Sequence, residues 1–281
     1  MKFLIAGGDA RLVWLANALA EAGNEVLAFA MDKAPLSEAI HKTDVPEIAD
    51  CVILPLPAES DRLGTLNAPY SGKQLSASGL IESLREGSLV IGGKITPRLR
   101  ETAVGRGVTL IDCMLRPEFT VGNANLTAEG AVSIIMKETP FALSDCRALV
   151  VGYGRIGKLL AQKLRALGAE VWVMSRNSES RAMAEALGLK AMPPAGDVSA
   201  FDAVINTAPA AVLTELAALK STCLLLELAS APGGIDPREA ERLGLKYIAA
   251  PGLPGKYAPK TAAKLIREAM ENILKERGIH D

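Results

Sequence analysis

Short unbroken apolar runs alternate along this chain with longer amphipathic ones. The runs VILPL, LVIGG, ALVVGYG, AVINTAP and LLLELAS show no polar–apolar alternation. A strand of that kind is buried on both faces, which is the condition of a parallel sheet covered by helices. Between the runs a beat recurs: an amphipathic stretch, a glycine, then another apolar run, as in LAEAGNEVLAF, LRALGAEVWVM and ERLGLKYIAA. The glycine takes the left-handed conformation that ends a helix, and the run that follows enters the sheet. Repeated βαβ units of this sort wind in one hand.

The pattern predicts an α/β protein made of two Rossmann-like, doubly wound parallel-sheet domains with an interdomain cleft. The first is expected over residues 1–126 and the second over 144–259, joined by a connecting segment 127–143 whose helix runs from Thr127 to Thr139. The last segment, KTAAKLIREAMENILKERG, is apolar at Ala262, Leu265, Ile266, Ala269, Ile273 and Leu274. That spacing predicts an amphipathic helix over about 260–278. No strand follows it, so it is expected to pack back on the N-terminal domain and complete it.

Composition narrows the function classes. The 281 residues are 49% apolar, which excludes a disordered chain. Lys and Arg number 31 against 32 Asp and Glu, so no bulk charge recruits nucleic acid or an anionic membrane surface. No apolar run is long enough to span a bilayer, and Asp9 and Arg11 interrupt the opening run, which is not expected to be a signal peptide. Cys51, Cys113, Cys146 and Cys223 are scattered without a CxxC pair and read as reduced thiols of a cytoplasmic protein, not as metal ligands. The histidines are His41 and His280.

Gly152, Gly154 and Gly157 form G-x-G-x-x-G directly after the strand ALVV and directly before the helix KLLAQKL. The first glycine makes the tight turn, the second lets a pyrophosphate approach the backbone, and the third allows close helix–strand packing. Arg155 and Ile156 lie between the second and third, where the helix N-terminus offers free N–H groups to the phosphates. The N-terminal turn AGGDARLVWL differs. It has Gly7 and Gly8 but no third glycine, and a pyrophosphate there would meet the Asp9 carboxylate. One dinucleotide site is therefore expected, in the second half. Asp9 and Arg11 either face the cleft or belong to a plain turn.

The end of the next strand selects the nicotinamide. An NAD site usually puts an acid there for the ribose 2′-OH. Here Ser175 and Arg176 stand in that place. A guanidinium pairs with a 2′-phosphate that a carboxylate would repel, so NADP is the expected cofactor; the alternative is a merely solvated Arg176. The nicotinamide end should lie beyond later strands, against Thr207, Ala208 and Pro209 and the small residues Ala229 and Ser230.

Oxidation of an alcohol usually needs a general base near the hydride acceptor, most often His. Neither His41 nor His280 is placed for it, which disfavours a 2-hydroxy acid dehydrogenase. Glu129, Lys256, Tyr257 and Lys260 are the other candidates. A reaction whose product is strongly favoured would need little help from a base.

The stretches NANLTAEGA (Asn123 to Ala131), VGYGRIGKLLA, INTAP, LASAPGG and APGLPGKYAPKTAA resemble the A subunits of dipicolinate synthase, from spore-forming bacteria, and the likeness covers nearly the whole chain. Ahead of TAEG the sequence departs from the family pattern, reading Arg116-Pro117-Glu118, with Leu126 before Thr127. The resemblance implies oxidation of dihydrodipicolinate, or its hydroxy-tetrahydro precursor, to dipicolinate, in the mother-cell cytoplasm. It implies a partner, the flavoprotein-like B subunit; a homodimer is the default for the chain itself. A non-catalytic NADP-binding role within such a complex is the other reading. The implied site has Glu129 and Lys260 as catalytic residues, with Asn123, Thr127, Arg116 and Lys256 around a dicarboxylate. Two plainer readings stand beside these. Thr127 and Glu129 also suit a helix start, Thr127 as its N-cap, and Lys260 also suits the start of the last helix.

Overall fold

The computed structural model describes residues 1–230 and 232–279. In chain order the elements are β1 (Lys2–Ala6), α1 (Ala10–Glu21), β2 (Glu25–Phe29), β3 (His41–Thr43), β4 (Cys51–Ile53), α2 (Ala77–Ser83), β5 (Leu89–Gly92), α3 (Pro97–Gly105), β6 (Thr109–Asp112) and α4 (Pro117–Glu138). They continue with β7 (Arg147–Val151), α5 (Arg155–Ala166), β8 (Glu170–Met174), α6 (Ser178–Ala186), β9 (Lys190–Met192), β10 (Ala203–Asn206), β11 (Leu224–Glu227), α7 (Pro237–Arg242), β12 (Lys246–Ala249), α8 (Leu253–Tyr257) and α9 (Pro259–Glu276).

The strands form two six-stranded sheets, in the orders β3-β2-β1-β4-β5-β6 and β9-β8-β7-β10-β11-β12. Every pairing between named strands is parallel. The two orders are the same permutation, which is the doubly wound plan; each sheet reverses direction at its first strand, and ligands of such sheets bind outside the carboxyl strand ends at that reversal. The chain divides into two compact units, one of Met1–Gly122 with the residues from Ala258 onward, the other of Asn123–Tyr257.

In the first unit α1 and α9 cover one face of the sheet. Ala263, Ile266, Ala269, Met270 and Ile273 of α9 pack with Leu12, Leu15, Ala16 and Leu19 of α1 and with Phe3 and Ile5 of β1. The C-terminal helix thus completes the N-terminal fold. Leu80, Ile81, Leu99 and Ala103 of α2 and α3 cover the other face. In the second unit α4, α5 and α6 lie on one face through Ala131, Ile135, Leu160, Leu164 and Ala184. Phe201, Val212, Leu216 and Ala240 close the other.

Helix α4 corrects the reading of the connecting segment. It begins at Pro117, ten residues ahead of Thr127, and ends at Glu138. Thr127 is therefore not an N-cap: its hydroxyl donates to the Asn123 carbonyl one turn back, at 2.8 Å. Pro117 opens the helix at the position where its missing N–H costs nothing. Glycines then survive inside the helix because other elements come close. A Cβ on Gly122 would lie 2.7 Å from Leu265, and one on Gly130 would lie 3.0 Å from Leu253 and 3.3 Å from Tyr257. Gly130 of the TAEG stretch and the LPGKY helix α8 are thus two sides of one packing contact.

Candidate dinucleotide site

Strand β7 ends at Val151 and three glycines follow, each with a different surrounding. Gly152 has φ +93°, and a Cβ there would sit 2.8 Å from the Thr207 hydroxyl. Gly157 faces backbone: its Cβ would be 2.3 Å from the Gly152 carbonyl oxygen, so α5 can approach β7 only without a side chain. Gly154 has open space where a Cβ would go. It is also the N-cap of α5, and no side chain caps that helix. The first bond of the helix is Lys158 N–H to the Gly154 carbonyl at 2.9 Å. The amides of Arg155, Ile156 and Gly157 have no acceptor among the described residues. Open space above one glycine and unpartnered donors at a helix N-terminus are what a diphosphate needs. The residues present fit the pyrophosphate of a dinucleotide.

At the end of β8, Ser175 is buried and Arg176 exposed. Arg181 of α6 donates to the carbonyls of Ser175 (2.7 Å) and Arg176 (3.0 Å) and so holds this turn from below. Arg176 has no acidic partner among the described residues. It follows β8, the strand whose end carries the ribose-contacting residue in dinucleotide-binding folds of this plan.

Thr207 follows β10 and donates its hydroxyl to the Val151 carbonyl at 2.9 Å, which ties it to the glycine turn. Ala208 is half-buried and Pro209 exposed. Beyond β11, Ala229 is half-buried and Ser230 exposed. The sequence reading missed what fixes these two loops. Asn206, at the end of β10, donates its side-chain amide to both oxygens of Glu227, at 2.8 and 3.0 Å. Glu227 also accepts the backbone N–H groups of Ala229, Gly234 and Ile235 at 2.9, 2.9 and 3.0 Å. Both side chains are buried, and the carboxylate touches donors only.

The corresponding turn of the first unit is closed. Gly8 N–H donates to the Asn67 carbonyl at 2.8 Å, and a Cβ on Gly7 would lie 3.0 Å from that of Ala68. The chain's own Asn67 and Ala68 occupy the space that a phosphate would take. Arg11 is buried, paired with Asp9 at 2.9 Å and bonded to the Leu56 carbonyl. It belongs to the turn.

Glu129 pairs with Lys163 at 3.1 Å and accepts from Asn125 at 3.1 Å. Lys163 is in the last turn of α5, the end away from Gly154, so Glu129 sits towards the amino edge of the sheet and cannot act on a ligand beyond the carboxyl edge. Asn123 is half-buried and uses its carbonyl for Thr127. Arg116 is clamped by Glu276 at 2.9 and 2.7 Å and by Glu118 at 2.5 Å, and these partners hold its guanidinium firmly charged. Lys260 lies 5.3 Å from the Trp14 ring centroid, on the outward side of α1. Of the nominated cations, Lys256 is exposed on α8 with no ion pair among the described residues. His41 is an exposed residue of edge strand β3, and His280 lies outside the described residues.

Two parallel α/β units, one carrying an open glycine turn, have the plan of a dinucleotide-binding protein, and the matches that follow support an oxidoreductase whose second unit is an NAD(P)-binding domain of dehydrogenase type. Residues 125–222 match the D-isomer specific 2-hydroxyacid dehydrogenase NAD binding domain. Residues 2–114 match the N-terminal domain of the dipicolinate synthase A subunit. The chain is 29% identical to the dipicolinate synthase A subunit of Bacillus subtilis (strain 168), with 98% of this chain and 96% of the relative covered. It superposes on the crystal structure of the dipicolinate synthase A subunit from Bacillus halodurans with a TM-score of 0.88 at 29% identity, covering 97% of each chain. On the crystal structure of the Bacillus subtilis protein the TM-score is 0.84 at 28% identity, covering 98% of this chain and 96% of that one. Along nearly its whole length the chain is similar to the A subunits of dipicolinate synthase.

Proposed function

We propose that this chain is an NADP-dependent dehydrogenase that oxidises dihydrodipicolinate to dipicolinate. The hydroxy-tetrahydro precursor would first lose water to give the dihydro form. The observation that carries the cofactor part is the pairing of an uncapped α5 and open Gly154 with a free Arg176 where an NAD enzyme would have an acid. The substrate part rests on the likeness to the A subunits of dipicolinate synthase.

The bound nicotinamide would supply a hydride acceptor. The reaction balances as dihydropyridine dicarboxylate plus NADP⁺ giving pyridine dicarboxylate, NADPH and one proton. Because the product ring is aromatic, the proton that leaves with the hydride needs only a weak acceptor, and water suffices. The chain's own work is then positional. The amides at the start of α5 would hold the diphosphate, Arg176 the 2′-phosphate, and Thr207 with the Asn206–Glu227 pair would set the loops that flank the reacting ring. Glu129 has no part in this scheme, because the Lys163 pair holds it at the far end of α5. The partner is a B subunit, as the relatives' name implies, and the compartment is the mother-cell cytoplasm of a sporulating bacterium.

The test uses the purified chain alone, with NADP and the condensation product of aspartate semialdehyde and pyruvate. NADPH absorbance rising together with a pyridine dicarboxylate supports the assignment. Growth of both only after a B subunit is added moves the chemistry to the complex. In parallel, Arg176→Ala should weaken NADP by about ten- to a hundredfold and leave NAD nearly unchanged, as loss of a charge-assisted contact predicts. Equal affinity of the wild-type chain for NAD and NADP would refute the NADP assignment.

A further inference from the structure

The carboxyl edge of the first sheet carries a strained lysine. Lys94 follows β5 and has φ +54°, a left-handed conformation that glycine, asparagine and aspartate adopt far more readily. Its neighbour Gly93 is a glycine for a separate reason: a Cβ there would lie 2.5 Å from Leu56 and 3.0 Å from Met114. The turn is locked from both sides. From β4, the Pro55 carbonyl accepts from Gly93 N–H at 3.2 Å, and Ala58 N–H donates to the Gly93 carbonyl at 2.9 Å. From β6, the buried Asp112 carboxylate accepts from Lys94 N–H at 3.1 Å and Ile95 N–H at 2.9 Å, and also from Met114 N–H at 2.9 Å. A rigid backbone in an unfavourable conformation therefore presents one long cationic side chain outside the strand ends, where ligands of doubly wound sheets bind.

Lys33, Arg62 and Lys94, which follow β2, β4 and β5, are exposed without an ion pair among the described residues, and of these Lys94 alone sits on a turn bonded to both neighbouring strands' ends; the other cations of this edge are engaged. Arg11 pairs with Asp9, and Arg116 pairs with Glu118 and Glu276. Lys94 is exposed and has no ion-pair partner among the described residues. The space that a phosphate would take in this unit is filled by Asn67 and Ala68, so a dinucleotide is not what it awaits.

We propose that Lys94 binds one carboxylate of a small dicarboxylate ligand at the carboxyl edge of the first unit's sheet. The ligand class, a small aromatic or dihydroaromatic dicarboxylate, rests on the function proposed above. A single ammonium on a fixed turn would orient that carboxylate without fixing the ring tautomer. Strain at Lys94 follows from the same demand: glycine would relax the turn but would remove the charge.

Isothermal titration on the full chain tests this, with dipicolinate in one series and NADP in another, for the wild-type chain, Lys94→Met, Lys94→Arg and Lys94→Gly. Lys94→Met should weaken dipicolinate by about tenfold or more, Lys94→Arg should retain part of the affinity, and NADP affinity should not change in any variant. Lys94→Gly should lose dipicolinate as Lys94→Met does, with a Tm no lower than that of the wild-type chain, which separates loss of the charge from loss of the fold. Equal dipicolinate affinity in wild type and Lys94→Met overturns the assignment. So does a wild-type chain that binds NADP but no dicarboxylate, an outcome that leaves the dinucleotide site standing. Lys94-dependent dipicolinate binding in a chain that takes no NADP supports this assignment and overturns the cofactor half of the proposed function instead.

Discussion

Asn206 and Glu227 stand directly opposite each other in the β10–β11 register, each the last residue of its strand, and the amide of one meets the carboxylate of the other at 2.8 and 3.0 Å. The carboxylate accepts at both oxygens: Oε1 from Asn206 and Ala229, Oε2 from Asn206, Gly234 and Ile235. An isosteric amide cannot replace it, because either orientation of Gln points an NH₂ at an N–H donor. Glu227→Gln should therefore cost about 2 kcal/mol or more and lower the Tm by roughly 5 °C. Asn206→Asp would set two carboxylates face to face, so its deficit should shrink as the pH is lowered towards 5. A Glu227→Gln chain that melts with the wild type would show that the pair does not hold these loops.

The glycine turn makes a sharper prediction. Gly154→Ala meets no atom within 4 Å, and the position does not have a positive φ, so this variant should fold, with stability lowered by no more than the roughly 1 kcal/mol of an N-cap change to Ala. The added methyl would stand where the diphosphate approaches, and NADP binding should fall below detection. Gly157→Ala drives a methyl to 2.3 Å from the Gly152 carbonyl and should destabilise the whole second unit. Differential scanning calorimetry and NADP titration on the two variants check both halves. NADP binding to Gly154→Ala as tightly as to wild type would mean the diphosphate lies elsewhere.

The second glycine turn was legible in the sequence because strand, glycines and helix are contiguous there, and local geometry decides such a turn. The α9 stripe was legible for the same reason. The start of α4 was not. Its stretch from Pro117 to Gly130, PEFTVGNANLTAEG, is rich in poor helix formers, and only contacts with Leu265 and Leu253, far away in sequence, make Gly122 and Gly130 suitable. Arg116 resisted prediction likewise, since its clamp, Glu276, is 160 residues away. Asn206 and Glu227 did leave a signal, AVIN and LLLE being apolar strands that each end on one polar residue, but only the register shows that the two polar ends meet.

Charge at the opposite edge of the second sheet gives a pH-dependent prediction. Glu170 accepts from Lys190 at 2.7 Å, from the Trp172 indole at 3.0 Å and from Arg147 at 3.1 Å. Lys190 first, then Trp172, hold its carboxyl down to about 2. The folded value lies below the unfolded one of about 4.3. The group therefore adds stability above the unfolded value, and that contribution disappears as the pH falls from about 4.3 to about 2. The side chain is partly exposed, so solvent screening limits the effect to about 0.5–1 kcal/mol. Glu170→Gln should be less stable than wild type at pH 7, and the gap should close on acidification and narrow in high salt. A gap that widens towards pH 3 would contradict the sign.

The four thiols supply a chemical test of the fold around both sheets. Cys51, Cys113, Cys146 and Cys223 are free and buried. Burial pushes Cys51, Cys113 and Cys223 up to about 12 and Cys146 up to about 11, with Asp50, Asp112 and Asp202 adding to the shift. A thiol near 12 is ionised to only ~10⁻⁴ at pH 8, and the thiolate is the species that reacts. Iodoacetamide at pH 8 should therefore leave the native chain unlabelled over an hour and label every cysteine in guanidinium chloride, as mass spectrometry would read. Cys113 makes the result informative about more than burial. It follows Asp112, whose carboxylate pins the Lys94 turn, so rapid native labelling at Cys113 would mean that this turn opens in solution and that the rigid presentation of Lys94 does not hold.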